Sequence, residues 1–331
     1  MRKNCNINKI NLGIQILRVI LCFWVILFHT LNSRKINYFL FNITKTKFFH
    51  VPCFSFISFF FAYNIFSEIN IYKVKQRLQR LIIPYIIWPL IFFFTNNIFD
   101  NNRKISLNDL KIQFILGSQF MIPLWFLFST IILTIIFFLL SYIFLDNFLF
   151  ICHLLMVFSY MAQYSYFHKL FAIYKDNVRF SILGTFSIFP ICITGFTIAS
   201  INFLKILKEY RIKILIFSYI SIFFLFKYDI FTNLGGHKGI MNNIAAISFF
   251  FGFYFLPFEN INSKLRIIII KATSYTQGIY CLQSQMISFS RRIMYFNGTL
   301  KGCFMIYLTS FLMSLLGNKL FGKTKLKYLF I

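Results

Sequence analysis

A chain of 331 residues with 34 Lys and Arg against 8 Asp and Glu carries a formal charge of +26, yet only 13% of its residues are charged and 59% are hydrophobic. With a mean hydropathy of +0.72, this excludes an ordinary soluble domain; the expected fold is an all-α, polytopic membrane helical bundle. The same charge in a soluble protein would suggest nucleic acid, but here the basic residues are spread over loops, so membrane-surface phosphate is the expected neighbour and nucleic acid is not.

Apolar runs able to cross about 30 Å of hydrocarbon as helix number about ten. The first, Leu12 to Leu31, follows Met1-Arg2-Lys3 and Lys9, a basic start like that of a signal peptide. No small-residue cleavage site follows and the run is full length, so it reads as a retained span. It contains Arg18 and, eleven residues later, His29. At 100° per residue both side chains fall on one helix face, roughly 16 Å apart along the axis. An arginine in hydrocarbon is costly and must face a protein interior or a wet cavity beside something anionic. That stripe therefore predicts a functional cavity.

The second run is Phe48 to Phe66. Lys73, Lys75, Arg77 and Arg80 then lead into the third, Leu81 to Ile98. If that stretch is helical, Arg77 and Arg80 are i, i+3 neighbours able to fork around phosphate oxygens; the plainer reading is a pair of positive-inside anchors. The later runs are Met121 to Phe144, Phe148 to Tyr166, Ser181 to Ile201, Ile212 to Phe226, Ile240 to Phe258, Ile267 to Ile287 and Gly302 to Leu320. The ninth, with Lys271, Gln277, Gln283 and Gln285, is the least hydrophobic, and its polar face predicts a place inside the bundle. With ten spans and both termini cytoplasmic, Lys and Arg favour the inside by a small margin, led by residues 73–80 and 319–327. The 50 phenylalanines fit an AT-rich coding bias, and most are expected to face lipid. One integral-membrane domain over 1–331, with no soluble domain, is the expected organisation.

The carboxylates are Glu68, Asp100, Asp109, Asp146, Asp176, Glu209, Asp229 and Glu259, all at run ends or in loops. Proton relays and cation-coupled transport commonly need an intramembrane carboxylate, and glycoside hydrolysis needs two in one cleft, so both classes lose ground. The seven cysteines form no C-x-x-C and no metal spacing with histidine, so neither a metal site nor a disulfide framework is expected. What remains inside the membrane is mainly Arg18 and His29, with His153 and Lys271. An intramembrane arginine without a protein carboxylate calls for an anionic ligand.

In order along the chain stand Arg18 with ten residues before His29, then His50-Val51-Pro52-Cys53-Phe54-Ser55-Phe56-Ile57-Ser58, then Arg77-Leu78-Gln79-Arg80 and Pro84-Tyr85. Further on come Pro123-Leu124-Trp125-Phe126-Leu127 and Gly278-Ile279-Tyr280-Cys281-Leu282-Gln283. Together these resemble the acyltransferase-3 family, membrane O-acyltransferases of cell-surface sugars. The resemblance implies a core of about ten helices and an acyl-CoA donor such as acetyl-CoA approaching from the cytoplasm. It implies donor handling by Arg18, Arg77 and Arg80, acyl transfer by His29, and a glycan or lipid-linked sugar as acceptor in the cell membrane. Guanidinium forks match the phosphates of coenzyme A, and a neutral imidazole suits removal of a hydroxyl proton. A covalent acyl intermediate on His29 or on Ser58 is the alternative route. The tetrahedral intermediate also needs a donor to its oxyanion, a backbone amide or the Trp125 indole. Three positions depart from the family pattern: Gln15 where an acidic residue is common, Phe59 where Gly follows Ser, and Gln283 where a histidine stands. Two rivals stay open on the residues alone: a carrier or flippase of an anionic glycolipid or polysaccharide, and an inactive scaffold of a glycan-synthesis complex.

Overall fold

The computed structural model describes residues 11–31, 49–99, 104–117, 121, 124–164, 176–227, 240–258, 261–293 and 299–331, and among them all regular structure is helical. The helices are α1 (Leu12–Thr30), α2 (His50–Phe60), α3 (Tyr63–Ser67), α4 (Ile71–Phe99), α5 (Leu107–Leu116), α6 (Trp125–Phe144) and α7 (Phe148–Tyr164). They continue with α8 (Asp176–Ala199), α9 (Ile201–Glu209), α10 (Arg211–Lys227), α11 (Ile240–Tyr254), α12 (Ser263–Ser274), α13 (Thr276–Ile293) and α14 (Leu300–Phe321). A 3-10 turn, Lys325–Leu329, closes the chain. Among the described residues, four stretches are long and apolar enough to cross a membrane: Leu12–Thr30, Ile71–Ile98, Trp125–Met161 and Leu300–Phe321. The last but one contains the α6–α7 turn, where Leu145 adopts φ 40° and ends α6. Large side chains such as Phe94, Phe158, Phe217 and Leu320 stand exposed, as lipid-facing residues should. This is an all-α membrane bundle.

Local chemistry sets the helix ends. The Asn11 side chain accepts from the Ile14 amide (3.1 Å) and donates to the Tyr254 carbonyl (2.8 Å), so it caps α1 and ties it to the end of α11. Ser106 and Asp109 form a reciprocal capping box on α5, which Gly117 ends at φ 74° in the left-handed region. α1 packs against α2, α11, α12, α13 and α14 and is central to the bundle. Buried bonds fix the senses of its neighbours. Thr30 meets Cys303 and Phe23 meets Tyr307, so α14 runs antiparallel to α1. Asn318 at the end of α14 bonds Tyr275 before α13, so α13 runs parallel to α1.

Three expectations need correction. The third span was expected to begin at Leu81, but α4 starts ten residues earlier at Ile71 and continues through Pro84 and Pro89. The basic segment is thus the first turns of a membrane helix. The ninth span is not one helix: it breaks at Tyr275 into α12 and α13. Many phenylalanines also face protein rather than lipid. Phe49, Phe56, Phe59, Phe66, Phe137, Phe196 and Phe250 are fully buried, and Phe137 meets Phe59, Phe66, Phe148 and Phe196 edge-on. Such quadrupole-matched contacts each contribute on the order of 1 kcal/mol beyond area, which makes this a specific core.

The close approach expected of a glycine beside Ser58 is supplied from the opposite helix. A Cβ on Gly195 of α8 would lie 2.9 Å from the Phe56 carbonyl oxygen and 3.1 Å from the Phe60 nitrogen, so α8 rests on the backbone of α2. Gly195→Ala should therefore push the two helices apart and destabilise the fold by about 1–3 kcal/mol. Thermal unfolding in detergent reads this directly; an unchanged midpoint would contradict the packing.

Candidate active site

The three predicted arginines converge. A cavity of about 440 Å³ is lined by Arg18 from α1, by Lys73, Gln76, Arg77 and Arg80 from α4, and by Thr276, Gln277 and Tyr280 from α13. Ser58, Phe54 and Phe126 complete much of its wall, and no carboxylate lines it among the described residues. Its size is within the range of small-molecule sites.

Each cation is held differently. Arg18 is half-buried; one guanidinium nitrogen donates to Thr276 Oγ1 (3.0 Å) and the other to Gln15 (3.4 Å). Cys22, one turn on, donates to the Thr276 carbonyl (3.2 Å). The helix break at Tyr275 therefore lies against Arg18. Irregular backbone at membrane depth is tolerated where it is enclosed by protein or lines a cavity, and here it does both. The break also brings the first turn of α13 to the cavity wall, adding the partial positive charge of a helix start to the arginines.

Arg77 reaches Ser58 twice, donating to its hydroxyl (2.8 Å) and its carbonyl (3.3 Å), and donates to Thr134 Oγ1 (3.2 Å). Its guanidinium lies 4.8 Å from the centre of the Phe59 ring. Phe59, a departure from the family pattern, thus forms a floor for the arginine. Arg80 is exposed and lies 5.8 Å from the Tyr328 ring, while Gln277 donates to the Arg80 carbonyl (2.7 Å). Lys73 pairs with Glu68 (3.2 Å) at the exposed rim.

His29 does not line this cavity. It sits half-buried at the far end of α1, its ring edge-on to Phe28 at 5.1 Å. Phe28 also meets His50 at 5.4 Å, and His50 is only 2% exposed. No chemical role was expected of His50, and its nearness to the end of α1 arises only on folding. Trp125 is not part of the cavity wall, and its indole lies over Gly184. His153 is tied to Thr197 (2.9 Å) and the Leu149 carbonyl (2.6 Å), a packing role.

One group between the two ends stands out. Thr276, Tyr280, Gln283 and Ile287 follow i, i+4, i+7 and i+11 spacing, one face of α13. All four are buried, and Gln283 is 0% exposed. Neither its amide oxygen nor its nitrogen has a hydrogen-bond partner among the described residues. Gln283 lies roughly 10 Å beyond Thr276 along α13. Because α13 runs parallel to α1, this places it between the level of Arg18 and that of His29. An unsatisfied buried amide costs about 1–3 kcal/mol and marks a place where a polar partner belongs.

The described cysteines are buried and form no disulfide, and among the described residues no cluster of His, Cys, Asp or Glu could hold a metal ion. The comparison with known families decides the class: an acyltransferase-domain model, Acyl_transf_3, matches residues 11–321. The chain belongs to the acyltransferase-3 family. It is therefore a membrane acyltransferase, and the arginine cavity lies within the matched residues. No curated protein and no solved structure matches the chain.

Proposed function

We propose that this acyltransferase moves an acyl group, acetyl in the simplest case, from acyl-CoA to a hydroxyl of a cell-envelope polysaccharide or lipid-linked glycan. The observation that carries this reading is the convergence of Arg18, Arg77 and Arg80 with the start of α13 on one cavity lacking carboxylates among the described residues. Such a site favours a polyanion, and guanidinium groups stay charged even when desolvated. In this reading the donor's pyrophosphate binds there, the adenine stays at the mouth, and the pantetheine arm runs outward along α1.

The separation of roughly 16 Å between Arg18 and His29 then has a use, because the arm of coenzyme A holds its thioester at a comparable distance from its phosphates. His29 accepts the proton of the acceptor hydroxyl as its oxygen attacks the thioester carbonyl. The carbon–sulfur bond breaks, the acyl oxygen ester forms, and the thiolate of coenzyme A takes up the proton. Gln283, midway along the route, donates its amide N–H to a carbonyl of the arm. Both termini lie in the cytoplasm, and the acceptor approaches from the opposite face of the cell membrane.

The test for Gln283 is its replacement by Leu. Removing an unsatisfied buried amide should leave the unfolding midpoint unchanged or raised, while the transfer rate from acyl-CoA falls about tenfold or more, the effect of one lost buried hydrogen bond. Undiminished transfer would overturn the role of the amide. For the whole proposal, membranes containing the protein should transfer label from radioactive acetyl-CoA to a glycan fraction. If label stays entirely in coenzyme A with every short acyl donor and envelope glycan offered, the proposal fails.

A further inference from the structure

We infer that the chain carries a second anion site, distinct from the arginine cavity, that binds the phosphate headgroup of an anionic phospholipid. A larger cavity, about 880 Å³, lies where the start of α1 meets the ends of α9 and α11 and the starts of α10 and α12. Lys208 closes α9, Arg211 opens α10 and Arg266 stands in the first turns of α12, so three cations from three helices face one space. Among the described residues no carboxylate lines it. Glu209, next to Lys208, is exposed and is not part of the wall, and Glu259 lies outside the described residues.

The rest of the wall selects the source of the phosphate. Ile212, Leu215 and Pro257 share that wall with the cations, so the lining is part charged and part apolar. From it α10 continues with Ile216, Phe217, Ile220 and Phe223 exposed, an apolar track facing the bilayer. A soluble phosphate would use only the charged part. A phospholipid uses both, with its headgroup among the cations and its chains along α10. Basic pockets between membrane helices bind anionic headgroups by this combination. α9 agrees with an interfacial position: Lys205 and Lys208 are exposed while Leu207 packs on the core, the pattern of a helix lying at the membrane surface.

The site is read by lipid retention, not by transfer activity. Protein purified in mixed phosphatidylglycerol and phosphatidylcholine micelles is delipidated in steps and its bound lipid weighed by native mass spectrometry. Wild type should keep phosphatidylglycerol over phosphatidylcholine. The double variant Lys208→Ala with Arg211→Ala changes only exposed side chains and should lose that preference about 30-fold, since each surface cation contributes about fivefold toward an anionic headgroup. Lys208→Arg with Arg211→Lys should restore it. An added arm offers inorganic phosphate in excess: failure to displace the lipid supports the phospholipid, and full displacement would assign the site to free phosphate and overturn the inference. Equal retention by wild type and the alanine variant would overturn it as well.

Discussion

Replacing His29 by Ala should lower acyl transfer from acyl-CoA by about 10²- to 10⁴-fold, the usual contribution of a positioned general base, with expression and membrane insertion unchanged. The structure makes this variant clean. His29 is half-buried at the end of α1, on the edge of Phe28, outside both fully buried core clusters, so truncation opens little core. Donor binding should be unaffected, because His29 does not line the arginine cavity. A fall in turnover at unchanged donor affinity is thus the expected signature of a group acting only in the chemical step. Transfer at the wild-type rate would remove His29 from the mechanism. Loss of donor affinity instead would mean that the histidine shapes the cavity from a distance.

The second large effect is expected at the other end of the route. Arg77→Ala combined with Arg80→Ala should weaken acyl-CoA binding by about 100-fold or more, since hydrogen bonds to charged groups contribute about 1.5–3 kcal/mol each. The two arginines should separate. Arg80 is exposed, and its loss alone should change affinity and salt dependence with no change in stability. Arg77 holds the Ser58 hydroxyl and carbonyl and lies over Phe59, so its loss should also lower the unfolding midpoint. Arg77→Lys keeps the charge but cannot make both Ser58 contacts and lie flat on the ring; it should recover part of the affinity and little of the stability. Calorimetric titration of the protein in nanodiscs with acetyl-CoA measures all three. Affinity unchanged in the double variant would reduce both residues to charges that orient the chain in the membrane.

Composition and apolar run length were enough for the class of fold, because a membrane solvent dictates helices of a certain length and little else. The link from Arg18 to the basic segment was also legible. It came through the family resemblance, which implied one donor site for Arg18, Arg77 and Arg80, and the structure brings the three to one cavity. The breaks were not legible. The ninth run continues as an apolar helix pattern across Tyr275, which is neither Gly nor Pro, and only its contact with Arg18 and Cys22 through Thr276 shows why the helix stops there. The early start of α4 was hidden for a related reason: the apolar run begins only at Leu81, and the basic residues before it lie outside that pattern although their side chains line a cavity and a rim. The phenylalanines were misjudged because one residue type serves both surfaces. Phe158 faces outward while Phe137 is enclosed by five other rings, and nothing in either residue's neighbours along the chain separates the two. Gln283 was visible as a departure, but its missing partners could be seen only after packing.

The central claim is that the cavity and His29 serve one transfer, from an anionic thioester donor to an envelope glycan. Mass analysis of envelope glycans from cells carrying the wild-type chain, the His29→Ala chain or no copy tests it most directly. The account predicts glycan species heavier by one acyl group with wild type, absent from the other two samples. Identical glycan masses in all three, or the same acylated species with His29→Ala as with wild type, would contradict it.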